Sequence, residues 1–319
     1  MDGAAHGAIH RFGGTMGRLI LSRLAQALIV ILVISFVAYM LLFTIADPVA
    51  LLAGQYATQE NIEDLRESLG LNDPILVQYG RWLWSALHGR FGESLYMKED
   101  SMSLIADRLP ASFALILSTL GLSLVVGIGM GLISAVYYRS WVDRVASVLS
   151  VLGISAAPFW VALLAIYVFA VKLRILPSSG YGGFRHMILP AATLSLFSIA
   201  TFSRLVRDAM VESLNSDYVR TALAKGVKYR IVVLKHALRN SIIPVVTVAA
   251  MRFAQLFAFA VVTERIFAWP GSGRLLLHAL QRLDYPLVIA YLVVVSGLFV
   301  GLNLVCDLIY GVIDPRIRN

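Results

Sequence analysis

Apolar runs separated by short charged segments dominate this chain. They occupy Leu24–Ala46, Leu109–Tyr138, Val145–Val171, Met187–Ser203, Asn240–Thr263 and Tyr285–Cys306. Crossing a bilayer takes about 20 helical residues at 1.5 Å rise each. Each run therefore predicts a spanning helix, and together they predict an all-α membrane protein with six transmembrane helices. The fourth run is the shortest and opens near Pro190, and Arg252 interrupts the fifth. The first run is longer than the roughly 7–15 residues of a secretory core. Asp47-Pro48 follows it in place of a small-residue cleavage site, so it reads as a retained helix.

Composition agrees. Hydrophobic residues make up 59% of the chain and charged residues 14%, against about 45–50% and about 25% in soluble domains. The net charge of +8 does not point to nucleic acid, because the densest basic cluster lies between two apolar runs, as in cytoplasmic loops. One cysteine, Cys306, lies within an apolar run; it permits no intrachain disulfide and reads as a packing or lipid-facing residue. His6 and His10 are possible metal ligands, but their glycine-rich surroundings read as a flexible tail.

The basic residues set an orientation. Arg11, Arg18 and Arg23 precede the first run. Arg139 and Arg144 lie between the second and third. Arg204, Arg207, Arg220, Lys225, Lys228, Arg230, Lys235 and Arg239 lie between the fourth and fifth, and Arg316 and Arg318 end the chain. In an even-span topology these share one side, predicted to be cytoplasmic. The opposite side receives residues 47–108, too long for a turn. Glu60, Glu63, Asp64 and Glu67 alternate there with Ile62, Leu65 and Leu69 at helical spacing. With Tyr79, Trp82 and Trp84 at interfacial positions, the segment predicts a small extracytoplasmic cap of short helices.

Segment 204–240 is amphipathic. Ser216 or Asp217 is placed to cap a short helix on which Tyr218, Val219, Ala222 and Leu223 form an apolar face. Gly226 supplies a helix stop. A second helical stretch follows, with Ile231, Leu234 and Leu238 apolar. Periodicity alone leaves two readings open: a basic loop lying on anionic lipid, or a helix that plugs a groove on a cytoplasmic partner.

The residues themselves resemble a known family. Asp217-Tyr-Val-Arg-Thr-Ala-Leu-Ala-Lys-Gly226, followed by His236-Ala-Leu-Arg-Asn-Ser-Ile-Ile-Pro244, is similar to the coupling loop of permease subunits in the peptide/nickel class of ABC importers. The general pattern there is Glu-Ala-Ala, three residues and Gly. Arg220-Thr221-Ala222 matches the oligopeptide/dipeptide branch instead. Asp47-Pro48, Leu69-Gly70-Leu71-Asn72-Asp73-Pro74, Gln78-Tyr79, Gly89-Arg90-Phe91-Gly92-Glu93-Ser94, Arg108-Leu109-Pro110-Ala111 and Gly153-Ile154-Ser155 extend the resemblance. So do Pro158-Phe159-Trp160, Leu176-Pro177, Gly180-Tyr181, Glu264, Phe267, Trp269-Pro270-Gly271, Gly273 and Asp284-Tyr285-Pro286. Ala46 stands where that branch has glycine, and Arg90 where aspartate is common.

The resemblance implies a type I ABC importer permease fold in a bacterial inner membrane. It implies a cytoplasmic tail 1–18, a first helix 19–46, the outer segment 47–108, a five-helix core 109–312 carrying the coupling loop 204–240, and a cytoplasmic end 313–319. It also implies a homologous second permease as heterodimer partner, two cytoplasmic ATPase subunits, and an extracytoplasmic solute-binding protein that delivers di- or oligopeptides or related solutes. Tyr218, Val219, Arg220, Thr221, Ala222, Lys225 and Gly226 become the expected ATPase contact. No Gly-x-x-x-x-Gly-Lys-Ser/Thr loop occurs in the sequence, so ATP and Mg are expected on partner subunits, with no cofactor in this chain and no catalytic constellation.

Arg252 lies mid-span, where a charge costs at least ~2.5 kcal/mol on insertion scales. Two readings stand: it lines the pathway with Ser155 and Gln255 and attracts a substrate carboxylate or another anion, or it pairs with an acid, either Asp307 or one on the second permease. A gradient-driven secondary transporter is the alternative class; it calls for acids buried within several spans, and these spans are nearly free of them.

Overall fold

The computed structural model describes residues 25, 26, 28–41, 58–68 and 72–313, with side chains to residue 305 except at 59, 61, 62, 65 and 68. Among these residues there is no strand, only an isolated bridge between Glu93 and Asp100. The helices are α1 (Leu28–Leu41), α2 (Gln59–Ser68), α3 (Ile75–Leu87), α4 (Ser101–Val136), α5 (Trp141–Ser155), α6 (Pro158–Lys172), α7 (Phe184–Leu214), α8 (Asp217–Ala224), α9 (Tyr229–Ile266), α10 (Ser272–Gln281) and α11 (Tyr285–Ile313). His6, His10, Arg11, Arg18, Arg23, Ala46, Asp47-Pro48, Leu69-Gly70-Leu71, Arg316 and Arg318 lie outside the described residues, as do the side chains of Ile62, Leu65, Cys306 and Asp307.

Four helices (α4, α7, α9 and, over Tyr285–Val305, α11) are long and apolar enough to cross a membrane. The third predicted span, Val145–Val171, is not one helix. It breaks into α5 and α6, which meet at a bend of 106°. Pro158 explains the break. Its ring excludes the preceding residue from helical backbone, and Ala156 and Ala157 are both extended, at ψ 125° and 122°. Counting that pair as one span gives up to five. The first predicted span is described only as α1, which is shorter than a crossing.

Other boundaries also moved. α7 starts at Phe184 and runs to Leu214, passing through the predicted loop start at Arg204. α9 starts at Tyr229, so the second amphipathic stretch is fused to the fifth span through a π-helical segment, Val232–Ala237. The loop expected over 204–240 is thereby reduced to α8 and its flanks.

The chain divides into two compact units, Arg108–Leu275 with Leu308–Asn319, and Met1–Asp107 with Leu276–Asp307. In the first, α7 is the central element. Phe202, Val206 and Met210 on α7 pack with Val233, Ala237, Val245 and Ala249 of α9 and with Ala135 of α4. Glycines set the approach of α4. A Cβ on Gly127 would meet the Phe202 Cβ at 2.8 Å, and one on Gly131 would meet the Ser203 carbonyl oxygen at 2.5 Å. Small residues four apart allow such close backbone contact in membrane helices. Gly153 of α5 faces Ala200 and Leu196 in the same way.

In the second unit, α3 leans on α1 through aromatic side chains. The Tyr79 ring meets Phe36 at 5.2 Å and Tyr39 at 5.7 Å, and its hydroxyl lies 2.9 Å from Ser35 Oγ. Tyr79 and Trp82 are therefore half-buried packing residues, and Trp84 alone of the predicted interfacial set keeps a mostly exposed ring. Two sequence motifs far apart in the chain join here. The buried Asp284 carboxylate accepts from Ser94 Oγ and from the backbone N–H of Leu95 at 3.1 Å, and Gly92 packs on Pro286.

Candidate functional site

α8 is a short helix between two long ones, and its ends are defined by the local sequence. Ser216 takes the N-cap position with extended backbone, φ −79° and ψ 159°. Its hydroxyl does not cap, however; it turns back and donates to the Ser213 carbonyl at 2.5 Å. Asp217 occupies the first turn, where a carboxylate suits the helix N-terminus. At the other end Gly226 has φ +81°, a left-handed conformation that disfavours side chains. Its N–H donates to the Leu223 carbonyl at 2.9 Å, and the Val227 N–H donates to the Ala222 carbonyl at 3.2 Å. This pair of bonds is the Schellman closure, and it makes Gly226 the stop that the sequence predicts.

The faces of α8 differ. Val219 is 2% exposed and Ala222 is half-buried, and the helix rests against the π-helical segment of α9. Tyr218, Arg220, Thr221, Leu223, Lys225 and Gly226 are exposed. The predicted contact set therefore divides. Val219, whose side chain is enclosed by its own chain, anchors the helix, and the others remain on its surface. Leu223, apolar and 40% exposed, belongs with the surface group although the predicted set omitted it. The Tyr218 hydroxyl accepts from Asn240 Nδ2 at 3.3 Å, tying the helix start to α9. Arg220 lies 3.7 Å from Asp217, an exposed pair of little energetic weight.

α7 is tied to α5 by an ion pair that sequence reading missed. Asp143, at the start of α5, is buried. It accepts from Arg207 Nε at 2.7 Å and Nη2 at 3.0 Å, from Ser134 Oγ at 2.6 Å, and from the Arg139 N–H at 2.9 Å. Arg207 and Arg139 both lie over the Tyr138 ring. The pair joins the ends of α4, α5 and α7.

Arg252 lies in α9 and is half-buried. Its Nη1 donates to Gln255 Oε1 at 2.9 Å, Nη2 reaches Thr201 Oγ1 at 3.5 Å, and the guanidinium carbon is 4.5 Å from the Phe197 ring centre. The structure thus brings two of the three predicted pathway residues together. Ser155 stands apart, exposed at the last turn of α5 beside the break.

A second motif cluster surrounds Glu264, which is 1% exposed. Its carboxylate accepts from Ser112 Oγ at 2.6 Å and from the Arg274 N–H at 2.9 Å. Ser112 also accepts from the Ser272 N–H at 2.8 Å, and Trp269 Nε1 donates to the Ala111 carbonyl at 2.8 Å. A Cβ on Gly271 would overlap the Glu264 carboxylate.

Long apolar helices meeting through small residues, with one short helix closed by Gly226 between two of them, define a polytopic helical membrane protein. The chain belongs to the binding-protein-dependent transport system inner membrane components. The model of that family matches residues 127–319, and the model of its N-terminal part matches residues 16–116. The family is the membrane permease of ABC importers, not itself an enzyme; ATP hydrolysis belongs to a separate subunit, and a binding protein works with it. A Brucella abortus (strain 2308) protein named as a peptide transport system permease is 39% identical over 312 residues, covering 95% of this chain and 99% of that one. The glutathione transport system permease GsiC of Escherichia coli O1:K1 / APEC is 39% identical over 272 residues, covering 85% and 89%. Among solved structures, an inward-facing MetNI methionine ABC transporter aligns with a TM-score of 0.56 at 16% identity, covering 67% of this chain and 97% of the matched one. That likeness shows a shared type I importer permease fold.

Proposed function

We propose that this chain is one of two channel-forming permeases of an ATP-driven importer of di- or oligopeptides or related solutes. A homologous second permease completes the pathway. A binding protein delivers the solute from outside, and two cytoplasmic ATPase subunits drive the cycle, each holding one coupling helix. Here that helix is α8, which requires both chain termini and segment 204–240 on the cytoplasmic side, and segment 47–108 outside. The peptide assignment rests on the names carried by relatives that match this chain over nearly its whole length.

The observation that carries the coupling role is the division of α8. Val219 on its inner face is buried, the helix rests on α9, and its outer face offers Tyr218, Arg220, Thr221, Leu223 and Lys225. A helix attached on one side to a membrane-spanning element, with mixed apolar and basic side chains on the other, suits a groove with an acidic rim. Movement of the groove would pass to α9 directly, because the π-helical segment leads into it without a loop.

Reconstitution of the complete transporter tests this. Gly226→Asp introduces a carboxylate beside the proposed acidic rim, in open space. The expected result is normal assembly in the membrane with loss of substrate-stimulated ATPase activity. Gly226→Asn, neutral and tolerant of left-handed backbone, should keep most of the stimulation. Unchanged stimulation in Gly226→Asp would defeat the proposal.

A further inference from the structure

Arg252 is a charged group that the packing of this chain does not use up. It sits within the apolar length of α9, on the side that also carries the exposed Gln255 and Phe259. Lipid is a poor neighbour for that side, since charge at bilayer depth is strongly disfavoured and such residues face a bundle interior or a watery cavity. Its contacts with Gln255 Oε1, Thr201 Oγ1 and the Phe197 ring are all neutral. Among the described residues no carboxylate pairs with it. The three neighbours orient the guanidinium without neutralising it. A guanidinium has five N–H donors in a planar fork, and only two accepting side chains are engaged here. A held, un-neutralised fork suits bidentate binding of a carboxylate.

We propose that Arg252, held by Gln255, Thr201 and Phe197, is a specificity-determining residue that binds a carboxylate of the solute as it crosses. This rests on the reading of the chain as a peptide permease. A linear peptide with a free C-terminus always carries such a group.

Two readouts on the complete transporter in proteoliposomes test it. The first uses a Cys306→Ser background carrying Gln255→Cys, labelled with an anionic and a cationic methanethiosulfonate reagent. The anionic reagent should react about tenfold faster. Arg252→Gln should bring the two rates together, and Arg252→Lys, which keeps the charge, should preserve the difference. Failure of either reagent to label, or a ratio that ignores Arg252→Gln, overturns the proposal. The second compares uptake of a free-acid peptide with that of its C-terminal amide, each at saturating binding protein. Arg252→Gln should lower the acid-to-amide ratio about tenfold, with partial recovery in Arg252→Lys. Equal loss for both solutes overturns the proposal in favour of a structural pair with an acid, either Asp307 or one on the second permease. If the wild-type complex takes up no peptide while the labelling stays charge-selective, the peptide reading fails and the anion site stands.

Discussion

Gly226 and Gly271 both belong to glycine motifs, and the chain needs them for opposite reasons. Gly226 has φ +81° and open space around it; only its backbone demands glycine. Gly271 lies against the buried Glu264 carboxylate, and any side chain there would overlap it. The first closes an exposed helix that offers its surface outward. The second belongs to a sealed cluster in which Glu264, Ser112, Ser272 and Arg274 satisfy one another. The contrast separates motif residues kept for a partner from motif residues kept for the fold. It also tells which assay each should affect.

The largest effect is expected at the sealed cluster. Gly271→Ala should cost about 3 kcal/mol or more, since a Cβ there overlaps the buried Glu264 side chain, which cannot move away freely. The measurement is thermal melting and the yield of monodisperse protein in detergent. Wild-type melting would break the comparison. Glu264→Ala comes next, at about 2–4 kcal/mol, because it leaves the Ser112 hydroxyl and the Arg274 N–H buried without that acceptor. Glu264→Gln keeps an accepting oxygen and should lose less, which sharpens the hydrogen-bonding account over a purely steric one. Asp143→Ala should cost about 2 kcal/mol. The full penalty for stranding a buried partner is larger, but Arg207 is a quarter exposed and water screens it. Gly226→Ala should be milder, at about 1 kcal/mol from backbone strain alone. Smallest for stability is Arg220→Glu, within about 0.5 kcal/mol, yet it should lower substrate-stimulated ATPase activity several-fold in the assembled transporter.

The same contrast explains what was legible in the sequence. Apolar run length predicted crossing segments because it records what the bilayer solvates. It misplaced helix ends, because hydropathy marks where lipid stops and not where a helix stops. α7 continues past Arg204 to Leu214 although its last turns are polar. Gly226 was readable as a stop because its role is local, within the Schellman bonds. Pro158 carried the local signal for the break at Ala156 and Ala157, and a continuous apolar run concealed it. The Asp143–Arg207 pair was not readable, since 64 residues separate partners that only the packing of α5 on α7 brings together. Periodicity identified an apolar face on α8 but carried no information on which apolar residues turn inward; Val219 does, and Tyr218 and Leu223 stay partly exposed.

The central claim is that the outer face of α8 meets the ATPase subunit while Val219 holds the helix to its own chain. Single-cysteine cross-linking in a Cys306→Ser background tests it most directly. With a short bifunctional reagent, Arg220→Cys and Lys225→Cys should link to the ATPase subunit of the assembled transporter, at a yield that changes on ATP binding, and Val219→Cys should not. Absence of cross-links at 220 and 225, or an equal yield at 219, would contradict it.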